Sequence, residues 1–99
     1  MTVTVNFFGP LAQWAGRKTV SAQGTTVREV LVALETHLGK PVLNHLINQD
    51  TGKIKSHYHL LLNGRDIESL KGLNEPVKNG DVITCVPPVG GGMDSSFFS

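Results

Sequence analysis

Hydrophobic and polar positions alternate at the start of the chain. Val3, Val5 and Phe7 fall on one side, and Thr2, Thr4, Asn6 and Phe8 on the other. A period of two in β-branched residues predicts a strand from Thr2 to Phe8, which Gly9-Pro10 ends. Leu11 to Gly16 is read as a connection carrying Trp14, and Lys18 to Ala22 as a short strand that returns antiparallel and stops at Gly24. The period then changes. Val27, Val30, Leu31, Leu34 and Leu38 recur at helical spacing and predict an amphipathic helix from Thr26 to Leu38. Thr26 and Glu29 have capping-box spacing at its start, and Gly39 and Pro41 end it. Val42 to Asn48 is read as a second short helix and Asp50-Thr51-Gly52 as a turn. A largely apolar strand is expected from His57 to Leu62, a hairpin at Asn63-Gly64, and a short return from Arg65 to Ile67. Ser69 to Asn74 is a connection, Lys78 to Asp81 another turn, and Val82 to Val86 the last strand.

Strands on both sides of one strong helix give an α+β domain, with a mixed sheet of about four to five strands and the helix across one face. If the first and last strands pair at the sheet centre, the arrangement is the ubiquitin-like β-grasp. Element order by itself also fits other small α+β folds. The domain spans 1–88, a glycine arm 89–92 and a C-terminal extension 93–99.

Composition narrows the chemistry. The chain has 99 residues, enough for one small core. Nine basic and eight acidic residues leave a net charge of +1, with no basic run and few aromatic residues, which argues against a nucleic-acid groove. The single cysteine, Cys85, excludes an internal disulfide, a thiolate zinc site and an iron–sulfur cluster. It is expected as a small core or sheet-face residue. Of the four histidines, His57 and His59 share a strand face, but two ligands do not make a site, so no metal is expected. No signal peptide or membrane span is visible, and the default location is cytoplasmic. No motif places a nucleophile–base pair.

What remains is the end of the chain. Pro87 and Pro88 cannot extend a sheet ladder and hold the backbone extended, and Val89, Gly90, Gly91 and Gly92 follow. Six residues reach roughly 20 Å at about 3.3 Å each, long enough to enter a tunnel while the globule stays outside. Glycine lacks a Cβ and passes a constriction. A carboxylate at Gly92 could meet ATP on a partner enzyme and become an acyl adenylate, from which sulfide or a persulfide displaces AMP to give a thiocarboxylate. On composition alone, these glycines read equally well as a linker to a tail.

From Val3 to Gly92 the chain resembles the MoaD/ThiS family of β-grasp sulfur carriers. The matching segments are Thr4 to Leu11 with Ala15-Gly16, Thr26-Val27, Leu61 to Gly64, Val77 to Val82, and Pro87 to Gly92. The resemblance implies that Gly92 is the residue adenylated and thiolated, on the arm Pro87, Pro88, Val89, Gly90 and Gly91. It implies a protein cosubstrate and not an enzyme, although one that could be the small subunit of a synthase complex. No cofactor is expected to be bound, ATP being used by an E1-like adenylating enzyme. The other implied partners are a sulfurtransferase and a receiving synthase, for molybdopterin or for cysteine or homocysteine. The insertion Asn44 to Ser56 and the segment Gly72 to Pro76 look closer to the cysteine and homocysteine carriers.

Met93 to Ser99 departs from the family pattern, in which the glycine pair is free. The expectation is a pro-form cut after Gly92, by a JAMM-type metalloprotease as in some related carriers. Phe8, Leu11 and Trp14 are candidates for an apolar partner patch, with packing as the other reading of each. Two further functions are open: a ubiquitin-like modifier joined to lysines through Gly92, and a non-conjugating interaction module with the glycines as spacer.

Overall fold

The computed structural model describes residues 1–55 and 58–86. Its strands are β1 (Thr2–Phe7), β2 (Thr19–Gln23), β3 (His59–Leu62), β4 (Arg65–Asp66) and β5 (Val82–Val86). Its helices are α1 (Pro10–Ala15), α2 (Val27–Leu38) and α3 (Val42–Leu46). They form one five-stranded sheet in the order β2-β1-β5-β3-β4, in which only the β1–β5 pair is parallel. The first and last strands therefore lie side by side in the interior of the sheet, as the β-grasp reading requires.

Strand alternation decides which face is covered. Val3, Val5 and Phe7 of β1, Ile83 and Cys85 of β5, Leu60 and Leu62 of β3, and Val20 and Ala22 of β2 are buried. They pack with Val27, Val30, Leu31 and Leu34 of α2 in one core. The opposite positions of β1, β2 and β5 hold Thr4, Asn6, Thr19, Ser21 and Thr84, and this face stays partly or fully exposed. A half-covered sheet of this kind follows from antiparallel neighbours and a single packing helix.

Helix α2 starts as its sequence pattern requires, with one adjustment. The Glu29 amide donates to Thr26 Oγ1 at 3.2 Å. The Glu29 carboxylate, however, accepts from the amide and hydroxyl of Thr25, at 2.9 and 2.7 Å, one residue earlier than a capping box would place it. Those two bonds, the backbone one foremost, hold the Glu29 carboxyl below its usual pKa. Gly39 closes the helix in the left-handed region, with φ at 66°.

The segment after β1 corrects the sequence reading, because Pro10–Ala15 is a helix and not a connection. Pro10 stands at the first helical position, where its missing N–H costs nothing, and Gly16 caps the end with φ at 78°. The third strand is shorter than expected, His59–Leu62, and the return after the hairpin is only Arg65–Asp66. From Ile67 onward two single 3₁₀ turns, Ile67–Ser69 and Gly72–Asn74, replace strand and connection. Ile67 and Leu73 point into the core from these turns. Asn63 joins the β3–β4 turn to β5, since its Oδ1 accepts from the Val82 amide at 3.0 Å and its Nδ2 donates to Asp81 at 3.1 Å. Among the described residues no helix is long and apolar enough to cross a membrane.

Candidate functional site

The candidate site begins where β5 ends. β5 is hydrogen-bonded on both sides, to β1 in the register Phe7–Cys85 and to β3 in the register His59–Val86. The Phe8 amide extends the β1 ladder by donating to the Cys85 carbonyl at 3.2 Å. The last described residue, Val86, is thus fixed by an interior strand, and whatever follows it starts from a rigid base. Pro87 comes next and has no amide hydrogen to continue the ladder. Pro87, Pro88, Val89, Gly90, Gly91 and Gly92, and the extension 93–99, lie outside the described residues.

Three apolar residues lie near this exit in the chain and in the strand register. Phe7 and Cys85 are buried, and the next residues, Phe8 just after β1 and Val86 at the end of β5, are not. Phe8 is 53% exposed, while Val86 and its neighbour Leu61 on β3 are half-buried. His59, opposite Val86, completes the row and is exposed. The expected trio of Phe8, Leu11 and Trp14 does not form one exposed patch. Leu11 is 2% exposed in the core, because in a helix Leu11 and Ala15 stand four apart on the same face and both turn inward. Leu61 and Val86, which lie near Phe8 in the strand register, were legible only through that register and not through their residue type.

Trp14 belongs to a separate cluster. Its ring stacks on His45 of α3 with centroids 3.9 Å apart and planes 10° from parallel. His45 in turn faces Tyr58, whose hydroxyl lies 3.4 Å from His45 Nε2. Lys40 donates to the Trp14 carbonyl, with its ammonium 5.7 Å from the centre of the indole. Burial, and secondarily the nearby Lys55, push the His45 pKa down.

The other flagged residues have structural roles. Cys85 is buried in β5, and burial alone pushes its thiol up to about 12, so it is not a nucleophile at neutral pH. His59 Nδ1 lies 3.3 Å from Asp66 Oδ2 across the β3–β4 pair, a local carboxylate that the sequence reading did not foresee. His57 lies outside the described residues. Among the described residues, no three His, Cys, Asp or Glu side chains gather as metal ligands.

This geometry can be set beside known proteins. A sequence model of the ThiS family matches residues 5–92, running through the glycine arm and stopping at its last glycine. Small archaeal modifier protein 3 of Haloferax volcanii is 30% identical over 95 residues, covering 93% of this chain and 100% of its own length. The sulfur carrier protein CysO of Mycobacterium tuberculosis is 30% identical over 77 residues, covering 78% of this chain and 83% of its own. The crystal structure of M. tuberculosis CysO superposes with a TM-score of 0.79 at 29% identity, covering 88% of this chain and 99% of that one. In the Amycolatopsis orientalis BexX/CysO complex, the matching chain gives a TM-score of 0.78 at 30% identity, with 90% of this chain and 98% of that one covered. An interior last strand leading into a glycine arm, and a family match that ends with that arm, place the chain in the ThiS family, within the MoaD/ThiS group of ubiquitin-like β-grasp proteins.

Proposed function

We propose that this protein is a sulfur carrier whose working group is the main-chain carboxylate of Gly92, exposed once residues 93–99 are removed. The observation that supports this most is the base of the arm. An interior strand hydrogen-bonded on both flanks ends at Val86, and the family match continues from there through Gly92. In the proposed reaction the Gly92 carboxylate attacks the α-phosphate of ATP on an E1-like enzyme, and pyrophosphate leaves. Sulfide then attacks the acyl carbon and AMP leaves with the bonding electron pair, which yields a thiocarboxylate. A sulfurtransferase persulfide can supply the sulfur instead, its S–S bond then being cleaved by a second thiol. The chain supplies the acyl group and its positioning, and the catalytic side chains belong to the partner.

Phe8, Val86 and Leu61 give the activating enzyme a dry contact at the root of the arm. Apolar groups at that point exclude water while the arm enters. The recipient of the sulfur is a synthase of cysteine or homocysteine formation, or the large subunit of a molybdopterin synthase. The A. orientalis complex pairs a CysO chain with BexX, and so shows one such carrier held by another protein.

The reading is tested by ATP–pyrophosphate exchange with the cognate adenylating enzyme. A chain ending at Gly92 supports exchange, whereas the chain ending at Ser99 does not until a peptidase releases the extension. Exchange by neither form contradicts the proposal. A second reading, a modifier joined to lysines through Gly92, is favoured by the near full-length relative named as an archaeal modifier. Isopeptide remnants on lysines of host proteins would establish it, and activation at Gly92 is common to both.

A further inference from the structure

On the part of the domain away from the end of β5, three cations face one cleft of about 390 Å³. Arg28 comes from the first turn of α2, Lys53 from the turn after α3, and Lys71 from the link between the two 3₁₀ turns. α2 follows Gln23, the β2 residue paired with Thr2, so its first turn stands at the end of the sheet opposite Val86. The Val27 amide donates to the Glu75 carbonyl at 3.1 Å and the Val77 amide to the Thr25 carbonyl at 3.0 Å, which ties the start of α2 to the segment after the second 3₁₀ turn. The Lys53 carbonyl accepts from the Asn48 amide at 2.7 Å, and the Lys71 amide donates to Glu75 Oε1 at 3.0 Å. The backbones that bear the cations are therefore held in place, while the charged ends stay exposed. Ile67 and Leu73, both buried, line the floor.

The cleft is not neutralised from within. Glu68 is its one acidic residue, and the only ion pair among the described residues is His59–Asp66, elsewhere on the sheet. Three positive groups against one negative leave the cleft with an excess of +2, more than the net charge of the whole chain, +1. The volume falls within the roughly 300–1,000 Å³ usual for small-molecule sites. An Arg fork and two Lys ammoniums on separate segments can each take a different oxygen of a multiply charged anion.

We propose that this cleft binds a small phosphorylated molecule carrying a diphosphate or an equivalent pair of phosphates. Arg28, Lys53 and Lys71 hold the phosphate oxygens, and Glu68 limits the affinity. This site is independent of the glycine arm and of the sulfur-carrier reading.

The test is a titration of the full chain with pyrophosphate and, separately, with ADP at low salt, followed by amide resonances. Saturable shifts centred on Gly52, Lys53, Lys71 and Leu73, with a Kd on the order of 1 mM or below, are expected. Arg28→Gln, Lys53→Gln and Lys71→Gln should each weaken binding by about two- to fivefold, as solvent-exposed charge contacts do. Glu68→Gln should strengthen it. All four side chains are exposed, so the variants should keep the parent spectrum. ADP binding tighter than pyrophosphate assigns the site to nucleotides, and the reverse assigns it to smaller phosphates. Absence of saturation, shifts centred on other residues, or affinities unmoved by the four substitutions would overturn the proposal.

Discussion

The two faces of the sheet are built from the same strands and do opposite work. On the covered face, every second residue of β1, β3 and β5 is apolar and buried against α2. On the open face, β1 and β5 alternate the same way but present Thr4, Asn6 and Thr84, with apolar Val82 at the start of β5, Val86 at its end, and Phe8 and Leu61 of β3 at neighbouring positions. The covered face fixes where β5 ends. In the proposed function, the open face is the side from which partners approach that end. Residues of the first kind should therefore govern stability, and residues of the second should govern encounter with partners while leaving stability nearly unchanged.

Substitution on the covered side should give the largest effects. Leu34→Ala or Leu31→Ala removes a fully buried side chain and should cost about 2–5 kcal/mol in denaturant unfolding. Gly24→Ala comes next, at about 1–3 kcal/mol, because a Cβ there would stand 2.7 Å from the Val30 amide nitrogen and 2.9 Å from Glu29 Cβ. Thr26→Ala loses the N-cap acceptor of α2 and should cost about 1 kcal/mol. Phe8→Asp, on the open side, should leave stability within about 0.5 kcal/mol. Its effect should appear in the rate of activation by the adenylating enzyme, and equal rates for Phe8→Asp and the parent chain would remove the open face from the account.

The smallest effect concerns pH. His45 titrates lower in the folded chain than in the unfolded one, so the unfolded state binds the proton more readily in the window below the usual histidine pKa. Stability should fall as the pH drops through that window, and His45→Gln should flatten the slope. A slope that His45→Gln leaves unchanged would show that the Trp14 stack is indifferent to charge.

Much of this division could be read in the residues. The alternation of β1, the helical spacing of α2 and the Asn63-Gly64 turn follow from periodicity and turn chemistry, whereas the side-by-side pairing of the first and last strands stands there only as a condition, because the element order also fits other small α+β folds. α1 was missed because six residues are too few to show a helical period, although Gly9-Pro10 and Gly16 bracket it with the expected start and stop residues. Without that helix, Leu11 stays open between a partner patch and packing, and α1 turns it into the core. Glu29 illustrates a finer limit, since the spacing foretold its capping role but not that Thr25 would offer two donors where Thr26 offers one. The cleft of Arg28, Lys53 and Lys71 had no linear signature at all, because its cations come from three segments distant in the sequence: the first turn of α2, the turn after α3 and the link between the 3₁₀ turns.

The central claim is that Gly92 does the chemistry and the globule is its handle. It is tested most directly by the intact mass of a chain ending at Gly92 after incubation with ATP, its activating enzyme and sulfide. The account predicts replacement of one carboxylate oxygen by sulfur, confined to the C-terminal residue and absent when ATP is withheld. A chain that keeps its starting mass under those conditions, or that gains sulfur at Cys85 instead, would contradict it.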